Sequence, residues 1–182
     1  MKLTDLAIIS MMFFICILVV IHVKSDMLYN RTANRIMYNN VMDNITEEAL
    51  ALGYCGMEIN GKPVVSLEKT SNYFKATTDM YGGNSRYIMC YVDIDGFYIC
   101  ISSMGYSWSD KIYFDNHENT SHEEKVTQLV NWMQDECGIN MRLSYNNGEK
   151  WENTVDDYSL IVISYEKLMK TYCFSGAKIH KK

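Results

Sequence analysis

Two histidine–carboxylate groupings, His117-Glu118 and His122-Glu123-Glu124, come nearest in this chain to a catalytic metal site. A zinc-binding helix needs two imidazoles four residues apart, so that both project from one face, with a carboxylate beside them to activate the metal-bound water. Positions 117 and 122 miss that spacing. The run Ser121-His122-Glu123-Glu124 reads instead as a capping box, in which Ser121 and Glu124 satisfy each other's free amides at a helix start. The pattern predicts a solvated loop, a helix cap and no metal. Asp93-Ile94-Asp95-Gly96 has the opening spacing of a calcium loop but lacks its later ligands and terminal glutamate, and a hairpin turn accounts for it.

Other chemistries find less support. No serine sits in a nucleophile elbow, and Gly82-Gly83 lacks the Lys-Ser/Thr that follows in a phosphate loop. Of the six cysteines, Cys16 falls in an apolar run, which leaves Cys55, Cys90, Cys100, Cys137 and Cys173, an odd set that cannot pair completely. They read mainly as small apolar residues, with one or two bridges open to a domain outside the cell. The absence of any C-x-x-C argues against structural zinc. The expectation is a protein without catalytic residues, cofactor or metal. A net charge of -5 argues against nucleic acid as a partner, because phosphate neutralisation needs a basic surface. The one basic cluster, Lys178, His180, Lys181 and Lys182, reads as a solvated terminus.

The elements that position these residues begin with the uncharged run Leu6–Val23. As a helix it is roughly 27 Å long, close to the hydrocarbon thickness of about 30 Å. Leu6, Ile9, Phe13, Phe14, Ile17, Val20 and Val23 are its membrane-anchor residues, and the lipid bilayer is the first expected partner. A buried soluble helix would show a polar face, and this one shows none. His22-Val23-Lys24-Ser25-Asp26 offers no small-residue cleavage step, so the anchor is expected to be retained. Lys24, Arg31 and Arg35 after the run outnumber Lys2 before it, which favours a cytoplasmic C-terminal side, although large domains translocate largely regardless of charge.

Beyond the anchor, residues 24–53 read as an amphipathic stalk helix, with Met37, Val41, Ile45, Ala49 and Leu52 on one face and Gly53 as its stop. Residues 54–182 are expected to form one globular head. Asn60-Gly61 between Tyr54–Ile59 and Lys62–Val65 signals a hairpin, with Pro63 on an edge strand. Ser66 caps a helix to about Met80, with Leu67, Phe74 and Tyr81 on its buried side and Gly82-Gly83 as its stop. Tyr87–Asp93 and Phe97–Ser102 form a second hairpin; a two-residue turn at Asp95-Gly96 would pair Cys90 with Ile101. Ile88, Cys90, Val92, Ile99 and Ile101 then share one face, and Tyr87, Met89, Tyr91, Tyr98 and Cys100 the other. A three-residue loop would instead set Cys90 opposite Cys100 and mix the faces, which favours the first register and no bridge between them.

Lys111–Phe114 reads as a short strand. The helix after Ser121 buries Val126, Leu129, Val130, Met133 and Cys137 and stops at Gly138. Ile139, Met141, Leu143 and Tyr145 alternate like a strand before an Asn147-Gly148 turn, and Tyr158–Tyr165 reads as a buried strand. The fold class is α+β: an N-terminal transmembrane helix continuing into an amphipathic stalk, then a mainly antiparallel sheet packed by two helices. Tyr87, Tyr91 and Tyr98, with Trp108 on the following loop, form either a second core layer under a helix or a contact surface for assembly.

Thr4-Asp5-Leu6 ahead of the apolar helix, Asp95-Gly96-Phe97-Tyr98 in the hairpin and Trp108-Ser109 after it resemble a group of small, uncharacterised single-pass membrane proteins of clostridium-like bacteria. That group is similar to accessory or minor-pilin-like components of tight-adherence (Tad) pili and type II/IV-like secretion machines. The resemblance implies a non-enzymatic, extracytoplasmic head, with pilus or secretion subunits, or further copies joined through the N-terminal helix, as partners. Asp5 occupies the place of the acid that, in type IV-like pilins, neutralises a neighbouring subunit's amino terminus. A helix-start acid favoured by the macrodipole is the alternative. A membrane-tethered sensory or ligand-binding module is the second functional expectation.

Overall fold

A single α-helix, α1 (Leu3–Gly53), opens the chain. The computed structural model describes residues 3–80, 86–115, 120–139, 154–166 and 171–179. Its contacts divide the chain into two compact units, Met1–Tyr38 and Asn39–Lys182. Within the first unit, Ser10–Asn30 has a mean hydropathy of 2.0 and none of it is buried. Among the described residues it is the one helix long and apolar enough to cross a membrane. All its backbone amides bond within the helix, which is the condition for a chain to lie in hydrocarbon.

The second unit begins inside α1, so residues 39–53, expected as stalk, pack as part of the head. Met42, Ile45, Thr46, Ala49 and Leu50 are buried, at the 3-and-4 spacing of one helix face. The expected stripe was only half right: Ile45 and Ala49 lie in the core and Val41 is half-buried, but Met37 and Leu52 are 63% and 56% exposed. The reason is geometric. A strict four-residue step overshoots each turn by about 40°, so Met37 lies about 120° from Ala49 and off the buried face, while Leu52, about 60° back from Ala49, lies on its edge.

At Gly53 the chain turns into β1 (Tyr54–Ile59) and β2 (Lys62–Val65), a two-stranded antiparallel hairpin. Asn60 (φ 53°) and Gly61 (φ 74°) take the two left-handed positions of a type I′ turn, as the dipeptide predicted. Pro63 pairs with Glu58, and a bulge lies between Tyr54 and Glu58. Helix α2 (Leu67–Met80) follows and buries Phe74 completely. Tyr81 and the expected Gly82-Gly83 stop lie outside the described residues.

The main sheet is antiparallel, in the order β5-β4-β3-β6-β7, from β3 (Arg86–Val92), β4 (Gly96–Ile101), β5 (Ile112–Tyr113), β6 (Ser159–Glu166) and β7 (Thr171–Lys178). The β3–β4 register corrects the expectation by two residues: Cys90 pairs with Ile99 and Val92 with Phe97, not Cys90 with Ile101. Gly96 does not turn the chain with a positive φ. It lies in β4 opposite Tyr113, where a Cβ would come 2.3 Å from the Ile112 carbonyl oxygen. The glycine admits β5 at close approach, and the loop therefore opens earlier, closed by Asp93 N–H donating to Gly96 O at 2.7 Å. A two-residue shift preserves side-chain parity, so the predicted faces survive the wrong pairing. Cys90 and Cys100 consequently stand on opposite faces of the sheet, and both are free.

Each face is covered. Cys90, Val92, Phe97, Ile99, Ile161, Ile163 and Phe174 pack against Leu129, Val130 and Met133 of α3 (His122–Cys137), with Trp132 edge-on to Phe97 at 5.7 Å. The predicted capping box is present at Ser121 and Glu124, and Gly138 (φ 66°) ends α3. On the other face Tyr87 meets Phe74 of α2 at 5.3 Å, and Ser175 donates to Met42 O (2.9 Å) or Thr46 Oγ1 (2.7 Å) of α1. Strand β7 was not foreseen. It draws Lys178 out of the expected basic tail and pairs it with Asp156 at 3.3 Å; His180, Lys181 and Lys182 lie outside the described residues, as do Met141, Leu143, Tyr145 and the Asn147-Gly148 turn.

Candidate functional site

The charged and phenolic side chains of the head converge at one end of the sheet, where the β3–β4 loop, the residue before β5 and the residue before β6 meet. Lys111 bridges two carboxylates there, with Nζ 2.6 Å from Asp93 Oδ2 and in direct contact with Asp95 Oδ1. The same ammonium lies 5.7 Å from the ring centroids of Tyr98 and of Tyr113. Local folding explains the placement. Asp93 Oδ1 accepts from Ile94 N–H (2.8 Å), Asp95 O accepts from Phe114 N–H (3.0 Å), and Tyr158 N–H donates to Val92 O (2.9 Å).

These neighbours set the charge states. Burial works against the Asp95 carboxylate, but the hydrogen bond and charge of Lys111 outweigh it and hold the group below its ordinary value. Burial also works against the Lys111 ammonium, and its hydrogen bonds to Asp93 and Asp95 prevail and push it up. Burial raises Tyr91, Tyr98 and Tyr158, with Asp93 adding to each and Lys111 opposing at Tyr98 and Tyr158. The directions favour an ionised Asp95, a charged Lys111 and neutral phenols at Tyr91, Tyr98 and Tyr158.

The Asp95 shift predicts a pH dependence. A carboxyl held below its unfolded value of 3.8 contributes stability above that pH and loses it as pH falls through the lower folded value. Denaturant unfolding below about pH 4 should therefore show a steeper loss of stability in the native chain than in Asp95→Asn. Equal slopes would show that the bridge contributes nothing measurable.

A cleft of about 370 Å³ adjoins the cluster. Tyr91, Asp93 and Tyr98 form one wall; Ile59, Lys62, Pro63 and Val64 of the β1–β2 hairpin form the other, with Leu67 of α2. A second cavity, about 570 Å³, lies between residues 47–54 and β7, lined by Glu47, Leu50, Tyr54, Thr154 and Lys178.

The aromatic set Tyr87, Tyr91, Tyr98 and Trp108 is in large part core. Tyr87 and Tyr91 are each 5% exposed, and Trp108 is half-buried with Nε1 donating to Leu67 O at 2.8 Å. Tyr98, half-buried, is the member of the set that reaches both the ion cluster and the cleft. Of the two readings, a second core layer under a helix and a contact surface, these residues fit the first: α2 packs on Tyr87 through Phe74 and accepts from Trp108 at Leu67. Along the anchor, Phe13, Phe14, Ile17, Val20 and Val23 are all exposed, from 42% at Ile17 to 70% at Phe13. Asp5, Leu6 and Ile9 lie in α1, and their side chains fall outside the described residues.

Among the described residues no three His, Cys, Asp or Glu side chains converge on a metal-sized site. His122 is exposed at the start of α3, and His117 and Glu118 lie outside the described residues. Burial pushes the Cys100 thiol up to about 12 and Cys90 higher still, which keeps both protonated and unreactive. Sequence reasoning missed Lys111 and Tyr158, because neither belongs to a periodic pattern; the Asp-x-Asp spacing was the signal available, and it was read as a turn alone. Comparison with protein-family models, with curated proteins and with solved structures returns no match to this chain.

Proposed function

We propose that this chain is a non-enzymatic, membrane-anchored component of a surface assembly, of the Tad or type IV-like pilus kind or the related secretion kind, with its α+β head on the extracytoplasmic side. The observation that carries the reading is that one helix supplies both parts. α1 contains the exposed apolar span Ser10–Asn30 and also Met42, Ile45, Ala49 and Leu50 of the head's core. A helix that contributes residues to each of the two units, with no separate linker sequence between them, suits a structural part better than a tethered catalyst. Partners in this reading are the bilayer and neighbouring subunits contacted through α1, with Asp5 as the acid that meets a neighbour's amino terminus. Neither nucleic acid nor a cofactor has a part in it.

Topology can be read at Cys55, which is exposed on β1, while Cys90 and Cys100 are buried. In intact cells a membrane-impermeant maleimide is expected to label Cys55, with Cys55→Ser lowering the signal and the half-buried Cys137 replaced by serine in both chains so that the difference reports Cys55. Labelling that appears only after lysis would reject the extracytoplasmic head. Cross-linking of the full chain in its own membranes should yield adducts of more than one subunit; a chain recovered only as monomer would reject the assembly role. The 370 Å³ cleft favours one second reading, a membrane-tethered ligand-binding module. A small molecule co-purifying with the intact protein would move the assignment there.

A further inference from the structure

We propose that the β1–β2 hairpin is a flap that closes over the Tyr91–Tyr98 cleft, drawn down by Lys62 at its tip toward the Asp93–Asp95 end of the sheet. The hairpin is a separate two-stranded sheet, not part of the five-stranded one, and β1 is exposed from Cys55 to Ile59. Two strands alone are marginal in water, so what holds them is their attachment and their packing. The backbone attachment lies at the base, while along β2 Pro63 is buried and Val64 and Val65 are half-buried on the cleft side. Tyr54 pairs with Val65, and Ser66 N–H donates to Gly53 O at 2.8 Å, so both legs leave the fold at one point.

The tip and the opposite wall are complementary. Among the described residues that pair in the cluster, Asp93 and Asp95 bring two formal negative charges and Lys111 one positive charge. Lys62, exposed beside the Asn60-Gly61 turn, lines the same cleft as Asp93, and in this proposal it is the cation drawn to the cluster. Closure also brings Ile59 and Val64 toward Tyr98, so apolar contact and charge act in the same direction. The hairpin is thus hinged where the two helices end and begin, and latched electrostatically at the far end.

Hydrogen exchange of the full chain in detergent micelles, read by mass spectrometry over Tyr54–Val65, tests this directly. Lys62→Gln is expected to speed exchange in that segment roughly two- to five-fold, the range of a solvent-exposed ion pair. Salt near 1 M should do the same to the native chain, and Lys62→Arg should restore protection. Peptides from β6 should stay unchanged in every case, and so should the hairpin in Lys69→Gln, which removes an exposed charge on α2. Unchanged hairpin protection in Lys62→Gln, equal acceleration in β6, or the same effect from Lys69→Gln would each overturn the flap.

Discussion

Removing residues 1–38 is expected to release a folded, water-soluble head, whereas removing residues 1–53 is expected to leave a chain that does not fold. The first cut takes away the apolar span and falls at the boundary between the two compact units. The second also removes Met42, Ile45, Thr46, Ala49 and Leu50, each no more than 5% exposed. Losing them strips the cover from one face of the sheet and leaves Ser175 without its partners. At about 1.5–3 kcal/mol for each of the large apolar side chains Met42, Ile45 and Leu50, the loss is roughly 5–9 kcal/mol, within the range of about 5–15 kcal/mol that holds a typical domain together. Sedimentation of membranes followed by circular dichroism of the supernatant separates the outcomes. A folded 54–182 fragment would show that residues 39–53 are dispensable to the core.

The second large effect is expected at Phe74. This side chain is fully buried and meets Tyr87 edge-on, with ring centroids 5.3 Å apart and planes at 78°. Phe74→Ala removes the ring and opens a cavity between α2 and the sheet, at a cost of about 3–5 kcal/mol. Phe74→Leu should recover more than half of that, because it refills most of the volume. Denaturant unfolding of the intact protein in detergent provides the measurement. A loss under about 1 kcal/mol for the alanine variant would mean that α2 packs loosely and the aromatic face is less covered than its burial indicates.

Much of this architecture was legible from local rules. The apolar span was legible from its length and lack of charge, Asn60-Gly61 from its turn chemistry, and α3 from its capping box and apolar spacing. The β3–β4 faces were legible too, because parity depends only on alternation. Pairing was not, since it depended on Gly96 making room for β5, a contact formed with a strand sixteen residues farther along. The face of α1 was blurred for a related reason: polar Thr46 lies at its centre, and a search for apolar residues passes over a threonine whose hydroxyl is satisfied internally. Strand β7 escaped because Ser175, Gly176 and Lys178 carry little strand signal, and its stability comes from an eight-residue ladder with β6. The site fared worst. Lys111, Asp93, Asp95 and Tyr158 come from three separate segments, and only the folded sheet brings them together.

The buried hydroxyls on α1 and β7 carry a further consequence. Thr46 Oγ1 donates to Met42 O at 2.7 Å, and Ser175 reaches both of them from the sheet. Apolar packing tolerates sliding, because one greasy contact exchanges for another at little penalty. A hydroxyl pair does not. Moving residues 39–53 by one helical turn, about 5.4 Å, would strand Ser175 in a dry interface at roughly 1–3 kcal/mol. The serine and threonine thus act as a vernier mark between helix and sheet: they select one axial setting among several that would bury similar oil.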